Sequence, residues 1–204
     1  MIGVINYGSG NFTSVLNGLR SVGAKLHVIT TPADFARVSH VVLPGVGAFQ
    51  TAMKRLSDLN LVEPLKRAVC EERKWFLGIC VGMQILTDVG YEGGAHQGLE
   101  LIPGECRKIN TQGSELRLPH IGWNEMTCSL DNPLFQRLSS RPTFYFVHSF
   151  QVVCADDAQA IGRCDYGESV TAVVQRDNIY GVQFHPEKSQ QDGLQLLKNF
   201  IHLS

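Results

Sequence analysis

Cys80 lies in the one stretch of this sequence whose residue types and spacing suit nucleophilic chemistry, Gly78-Ile79-Cys80-Val81-Gly82. A short apolar run, Trp75-Phe76-Leu77, precedes it and reads as a buried strand, and Met83-Gln84-Ile85-Leu86 follows like the start of a helix. A nucleophile with glycine two residues away on each side, between strand and helix, is the nucleophile-elbow pattern with Cys in place of Ser. Such a turn strains the nucleophile while its small flanking residues let backbone pass close by. The helix N-terminus beyond it favours an anion and would help form thiolate at neutral pH. A buried cysteine in a Gly-rich turn fits the same five residues. A base and an oxyanion hole elsewhere in the chain must decide.

The base is expected at His185, in Phe184-His185-Pro186-Glu187-Lys188-Ser189, just beyond an apolar strand and 105 residues after Cys80. In extended chain, residues i and i+2 share a face, so Glu187 can stand beside the imidazole. Pro186 fixes its own φ and restricts His185, which stiffens the pair. A carboxylate beside imidazole selects its tautomer and stabilises the imidazolium, completing a set of nucleophile, base and orienter. Alone, His185 would read as a solvated strand-end histidine; with the elbow, catalysis is the stronger reading. One oxyanion donor is expected from the backbone N–H of Val81. A second is expected at Val46 and Gly47, in Pro44-Gly45-Val46-Gly47 at the end of a third strand. The two glycines around Val46 allow unusual dihedrals there, although an ordinary strand–helix turn has the same composition. His27, His40, His96 and His202 carry no motif, and no His/Cys spacing reads as a zinc site. Neither metal nor cofactor is expected.

Periodicity predicts the elements that must position these groups. Residues 2–6 form a first strand, followed by the Gly-rich turn Tyr7-Gly8-Ser9-Gly10-Asn11. Phe12, Val15, Leu16, Leu19 and Val22 recur at helical spacing, and Gly23 closes that helix. Strands at 26–29 and 40–43 flank a short helical stretch at 34–38, and helices near 48–58 and 61–73 lead to the strand that enters the elbow. This alternation predicts a parallel sheet with helices on both faces. Gly8-x-Gly10-x-x-Thr13 nearly spells a dinucleotide fingerprint, but its third glycine is Thr13 and the second strand ends at Thr30-Thr31 without an acid. Tight strand–helix packing is the better reading of that turn. The polar 90–98 stretch reads as a loop. Short strands follow near 105–110, 115–121, 143–153, 158–164, 170–176 and 179–184, with a short helix at 133–138. This half looks antiparallel and either extends the first sheet or forms a second. Leu194, Leu197, Phe200 and Ile201 mark a last amphipathic helix. Without a linker or repeat, residues 1–204 are expected to form one domain.

Composition excludes whole classes of function. Charged residues make up 18%, the net charge is -1, and no basic run suits nucleic acid. No apolar run approaches the ~20 residues of a membrane span. Met1–Tyr7 looks like a core strand, not a signal peptide. Six cysteines without a C-x-x-C pair point to free thiols in a reducing, cytoplasmic setting.

These residues together resemble the class I (triad) glutamine amidotransferases. The likeness is carried by the Cys80 elbow and His185-Pro186-Glu187. It narrows through Tyr7-Gly8-Ser9-Gly10-Asn11, Pro44-Gly45-Val46-Gly47, His120-Ile121-Gly122-Trp123-Asn124 and Tyr145-Phe146-Val147-His148-Ser149-Phe150. With those motifs the chain resembles the glutaminase subunits of imidazole glycerol phosphate synthases over nearly its whole length. The resemblance implies a flavodoxin-like three-layer α/β/α fold, its central sheet mostly parallel with additional antiparallel strands in the C-terminal half. It implies hydrolysis of L-glutamine to glutamate and ammonia through a Cys80 thioester. A (β/α)8-barrel cyclase partner would use the ammonia to form imidazole glycerol phosphate and an aminoimidazole carboxamide ribotide in histidine biosynthesis. By the same resemblance Gly45, Gly47, Gln84, Ser149 and Phe150 would grip glutamine. Asn11, Phe12, Trp123 and Lys188 would face the partner. Departures are few: Val81 stands where Leu is usual, Phe150 where Tyr is common, and Glu100 where a turn glycine is expected. Rival readings are a sister glutaminase subunit of another synthase, a freestanding cysteine hydrolase, and a binding module with a vestigial site.

Overall fold

Strands β1 (Ile2–Ile5), β2 (Leu26–Ile29), β3 (His40–Leu43) and β4 (Trp75–Ile79) are short and largely apolar, and β1 and β3 are buried at every position. Burial on both faces is what a parallel sheet between two covering layers requires. The computed structural model describes residues 1–113 and 115–204. Helix α1 (Phe12–Ser21) buries Val15, Leu16, Gly18 and Leu19, and Gly23 follows its end at φ +88°. There glycine supplies the left-handed residue that closes a helix without a Cβ clash. Helices α2 (Phe49–Asp58) and α3 (Val62–Cys70) connect β3 to β4, and a single helical turn, α4 (Val81–Gln84), follows β4.

The remaining strands are β5 (Val89–Gly90), β6 (His96–Gln97), β7 (Gly104–Lys108), β8 (His120–Glu125), β9 (Thr127–Cys128), β10 (Thr143–His148), β11 (Phe150–Cys154), β12 (Ala160–Asp165), β13 (Ser169–Arg176) and β14 (Ile179–Val182), and helix α5 (Gln190–Phe200) ends the chain. The main sheet runs β2-β1-β3-β4-β14-β13-β12-β9. It is parallel from β2 to β14 and antiparallel beyond. The late strands therefore both extend the first sheet and form others, a β10-β8 pair and a β11-β7-β5-β6 sheet.

One register decides where chemistry can happen. Leu43 pairs with Gly78, and Ile79 pairs with Val182. The segments after β3, β4 and β14 therefore leave the same sheet edge side by side. These are the Pro44–Gly47 turn, the elbow and the His185 segment.

Several elements differ from expectation for identifiable reasons. The expected strand at 115–121 begins only at His120, because Pro119 before it has no N–H for a ladder. The 143–153 stretch is two strands, broken at Ser149, since β10 pairs with β8 while β11 pairs with β7. The 90–98 loop carries the end of β5 and the whole of β6, and β9 lies where the sequence predicts no strand. The helix expected at 133–138 is a 3-10 turn over Pro133–Phe135. Glu100 keeps the turn proposed for a glycine, at φ +57°, with its carboxylate held by Gln97 at 2.9 Å and Lys66 at 3.2 Å. No helix among the described residues is long and apolar enough to cross a membrane.

Candidate active site

The elbow is built by close backbone contact. Cys80 adopts φ 55° and ψ -110°, and its N–H donates to the Val182 carbonyl at 2.8 Å. A Cβ at position 78 would lie 2.6 Å from the Gly82 carbonyl carbon, and one at position 45 would lie 2.6 Å from the Gly82 nitrogen. Glycine at these positions is what lets the β3 turn, the elbow and α4 stack against one another. Helix α4 stops after one turn because its next carbonyls are claimed elsewhere. Leu99 N–H donates to Ile85 O at 2.7 Å, and Leu101 and Ile102 both donate to Leu86 O at 2.9 Å. The sustained helix dipole expected to activate Cys80 is absent, since a single turn aligns too few peptides. Activation falls instead to His185.

His185 and Glu187 have fully buried side chains, and His185 Nδ1 is 2.8 Å from Glu187 Oε1. A carboxylate can only accept, so Nδ1 carries hydrogen and Nε2 is the working nitrogen. Nε2 makes no full hydrogen bond. It is nonetheless close enough to Cys80 for the two to interact. Burial works against the imidazolium, but Cys80 and Glu187 outweigh it and hold the His185 pKa up at about 9. The ion pair therefore contributes stability in full below the free imidazole value of about 6.5 and loses it as pH rises through about 9. Removing the carboxylate charge has a definite sign. In Glu187→Gln the His185 titration should move to lower pH and hydrolysis should fall by roughly 10³-fold. NMR of the imidazole protons and a turnover assay check both, and an unmoved titration would refute the orienting role.

A cavity of about 370 Å³ opens over the sulfur. Cys80, Val81, Gln84 and His185 line it together with Val46, Gly47, Ser149 and Phe150. The residues expected at the oxyanion hole and the glutamine site thus share one space, apart from Gly45, which lies buried behind it against the elbow. Val81 opens α4, so its N–H has no intrahelical acceptor. Gly47 takes φ +97° and Val46 is 38% exposed, which gives this turn freedom to rotate a peptide plane. His148, which the sequence placed within a motif but without a role, also lines the cavity, as do Glu92 and Pro119, which sequence reasoning missed. Glu92 Oε2 accepts from Phe49 N at 2.9 Å, which anchors a carboxylate beside the site. Its position on a loop without a motif gave no signal.

The expected interface residues divide. Trp123 is 48% exposed on β8, stands edge-on to Tyr145 at 6.0 Å, and Lys188 Nζ lies 5.9 Å from the Tyr145 ring. Trp123 is thus no core residue. Phe12 is half-buried, but Asn11 is buried behind the triad. Its side chain accepts from Ser9 Oγ at 2.6 Å and directs Nδ2 toward Glu187 Oε1 at 3.5 Å. The Tyr7–Asn11 turn therefore reaches the orienting carboxylate from behind. A larger hollow of about 730 Å³ between α2, α3 and β6 has no cysteine in its walls. No cluster of three metal-ligating side chains occurs among the described residues.

The family model for glutamine amidotransferase class-I matches residues 3–203. An imidazole glycerol phosphate synthase subunit HisH of Syntrophotalea carbinolica is 46% identical over 204 residues, covering 98% of each chain. The imidazole glycerol phosphate synthase subunit HisH 1 of Campylobacter jejuni is 43% identical over 203 residues, the whole of both chains. A crystal structure described as glutamine amidotransferase superposes with a TM-score of 0.75 at 16% identity, over 98% of this chain and 96% of that one. That likeness concerns the fold alone.

Proposed function

Because the chain belongs to the class-I glutamine amidotransferases, we propose that its cavity hydrolyses the side-chain amide of L-glutamine and that it serves as the glutaminase subunit of an imidazole glycerol phosphate synthase. The observation that carries this reading is the buried Cys80–His185–Glu187 set beneath one cavity at the sheet edge, with the 2.8 Å Nδ1–Oε1 bond fixing the imidazole. Cys80 thiolate attacks the amide carbon of glutamine. The N–H of Val81, with Val46 or Gly47, takes the oxyanion. His185 Nε2–H protonates the departing nitrogen as the C–N bond breaks, which leaves a thioester and ammonia. Neutral His185 then takes a proton from water. Hydroxide attacks the thioester, and the C–S bond breaks to return thiolate and glutamate. Gln84, Gly47, Ser149 and Phe150 hold the amino-acid end, Gly45 supports the elbow behind the cavity, and Glu92 supplies the anion that an α-ammonium group requires.

Residues 1–204 act as one amidotransferase domain in the cytoplasm. The partner is a (β/α)8-barrel cyclase that covers the open sheet edge, with Trp123 and Lys188 against it. Its products are imidazole glycerol phosphate and an aminoimidazole carboxamide ribotide. Asn11, buried behind the triad, acts on Glu187 and not on that surface. Val46 and the φ +97° glycine beside it make the second oxyanion donor a point of control. Glutamine hydrolysis should be slow for the isolated chain and rise at least ~100-fold when cyclase and its substrate are added. A coupled assay with and without cyclase measures this, with size-exclusion chromatography to show the complex. Full turnover without a partner would instead indicate a freestanding hydrolase.

A further inference from the structure

The Cys80 sulfur has a second polar neighbour. Gln183 is fully buried just past the end of β14, two residues before His185, and its Nε2 lies 3.8 Å from Cys80 Sγ. The two ends of a carboxamide are interchangeable until its neighbours fix them. Here they are fixed in one sense. The Phe150 carbonyl can only accept, and Gln84 Nε2 lies 3.1 Å from it. Gln84 therefore directs its NH2 inward, where it also donates to Gln183 Oε1 at 3.2 Å. That makes Gln183 Oε1 an acceptor and leaves its NH2 facing the sulfur.

The same carbonyl ties this arrangement to the outer strands. His148 Nδ1 is 2.8 Å from Phe150 O and must carry hydrogen there, so its Nε2 accepts from His120 Nδ1 at 3.0 Å. His120 Nε2 then accepts from Asn124 Nδ2 at 3.3 Å. Burial lowers the pKa of each histidine to about 4, so both stay neutral and every donor keeps its direction at neutral pH.

We infer that Gln183 is a further catalytic residue, whose side-chain NH2 donates a hydrogen bond to the Cys80 sulfur. It stabilises the thiolate before attack, and again when the thioester C–S bond breaks and its electron pair returns to sulfur. A bond of this kind gains strength when the acceptor is charged. The titratable groups facing Cys80 are His185 beyond β14, with Glu187 behind its ring, Tyr7 after β1 and Cys106 on β7, with Glu92 and His148 in the cavity wall. Of these only His185 carries positive charge, so Gln183 is the neutral complement to it. This role rests on Cys80 being the nucleophile.

Gln183→Met keeps the volume and removes the donor. In the full chain bound to cyclase, the rate of Cys80 alkylation by iodoacetamide is followed against pH, with the alkylated residue identified by mass spectrometry. The midpoint should rise by about one pH unit or more. The kcat for glutamine hydrolysis should fall roughly 10-fold with KM little changed. An unchanged midpoint overturns the proposal. The unsubstituted chain gives an independent readout. Its Gln183 side-chain amide resonances should titrate with the alkylation midpoint and shift once Cys80 is capped, and amide resonances indifferent to both overturn it. If capping Cys80 leaves hydrolysis intact, the nucleophile assignment itself fails, and Gln183's role with it.

Discussion

Replacing Cys80 by Ala should abolish glutamine hydrolysis, by on the order of 10⁴-fold or more, while product formation from added ammonia by the two-subunit complex persists. The sulfur is the one group placed to form the covalent intermediate. His185 is oriented toward that position, and Cys80 is the one thiol in the cavity wall among the described residues. Ammonia bypasses the glutaminase cavity, so the cyclase reaction should not register the change. The substitution removes one buried atom from a side chain only 4% exposed, and the backbone there is held by the Val182 bond, so the fold should survive. Parallel assays with glutamine and with ammonium salt measure both halves. Hydrolysis near the unsubstituted rate would remove Cys80 from the mechanism.

Gly82→Ala should be strongly destabilising. Its new Cβ would fall on the carbonyl oxygen of Leu43 and lie 3.1 Å from the carbonyl carbon, both backbone atoms of a central strand. Backbone in a paired strand cannot move aside as a flexible side chain can, so about 3 kcal/mol or more of stability should be lost. For a chain of this size that lowers Tm by roughly 6–12 °C. Gly23→Ala is the fitting comparison. Its added Cβ meets nothing within 4 Å, and only the φ of +88° opposes it. That conformational cost is about 1–2 kcal/mol. Urea unfolding of the two variants measures the difference, and equal losses would show that steric closure of the elbow is not what position 82 supplies.

The sequence was most legible where function rests on contiguous residues. Gly-x-Cys-x-Gly and His-Pro-Glu are local patterns, and strand–helix alternation is enough to carry their segments to one sheet edge. Relations through space were opaque. Gln183 stands inside the apolar run Val182-Gln183-Phe184, a polar residue in a buried stretch, and that incongruity was its only signal. Its partner Gln84 is 99 positions away. Asn11 belongs to a recognisable turn, yet only the folded chain shows it directed at Glu187 and not outward. The length of α4 could not be read from Val81–Leu86 either, because residues 99–102 take the carbonyls that would have continued the helix.

The placement of β14 between β4 and β13 also sets when the protein becomes reactive during synthesis. At roughly 5–20 residues per second, on the order of 5–20 s separate the translation of Cys80 from that of His185. Throughout that interval the nascent chain carries the cysteine without a general base, and β4 lacks its neighbour on one side. Insertion of the last strand completes the hydrogen-bond ladder and delivers the imidazole in one event. An unfinished polypeptide therefore cannot release ammonia. The same order of assembly leaves β4 as an open strand edge during translation, which makes that period the one in which protection by a chaperone matters most.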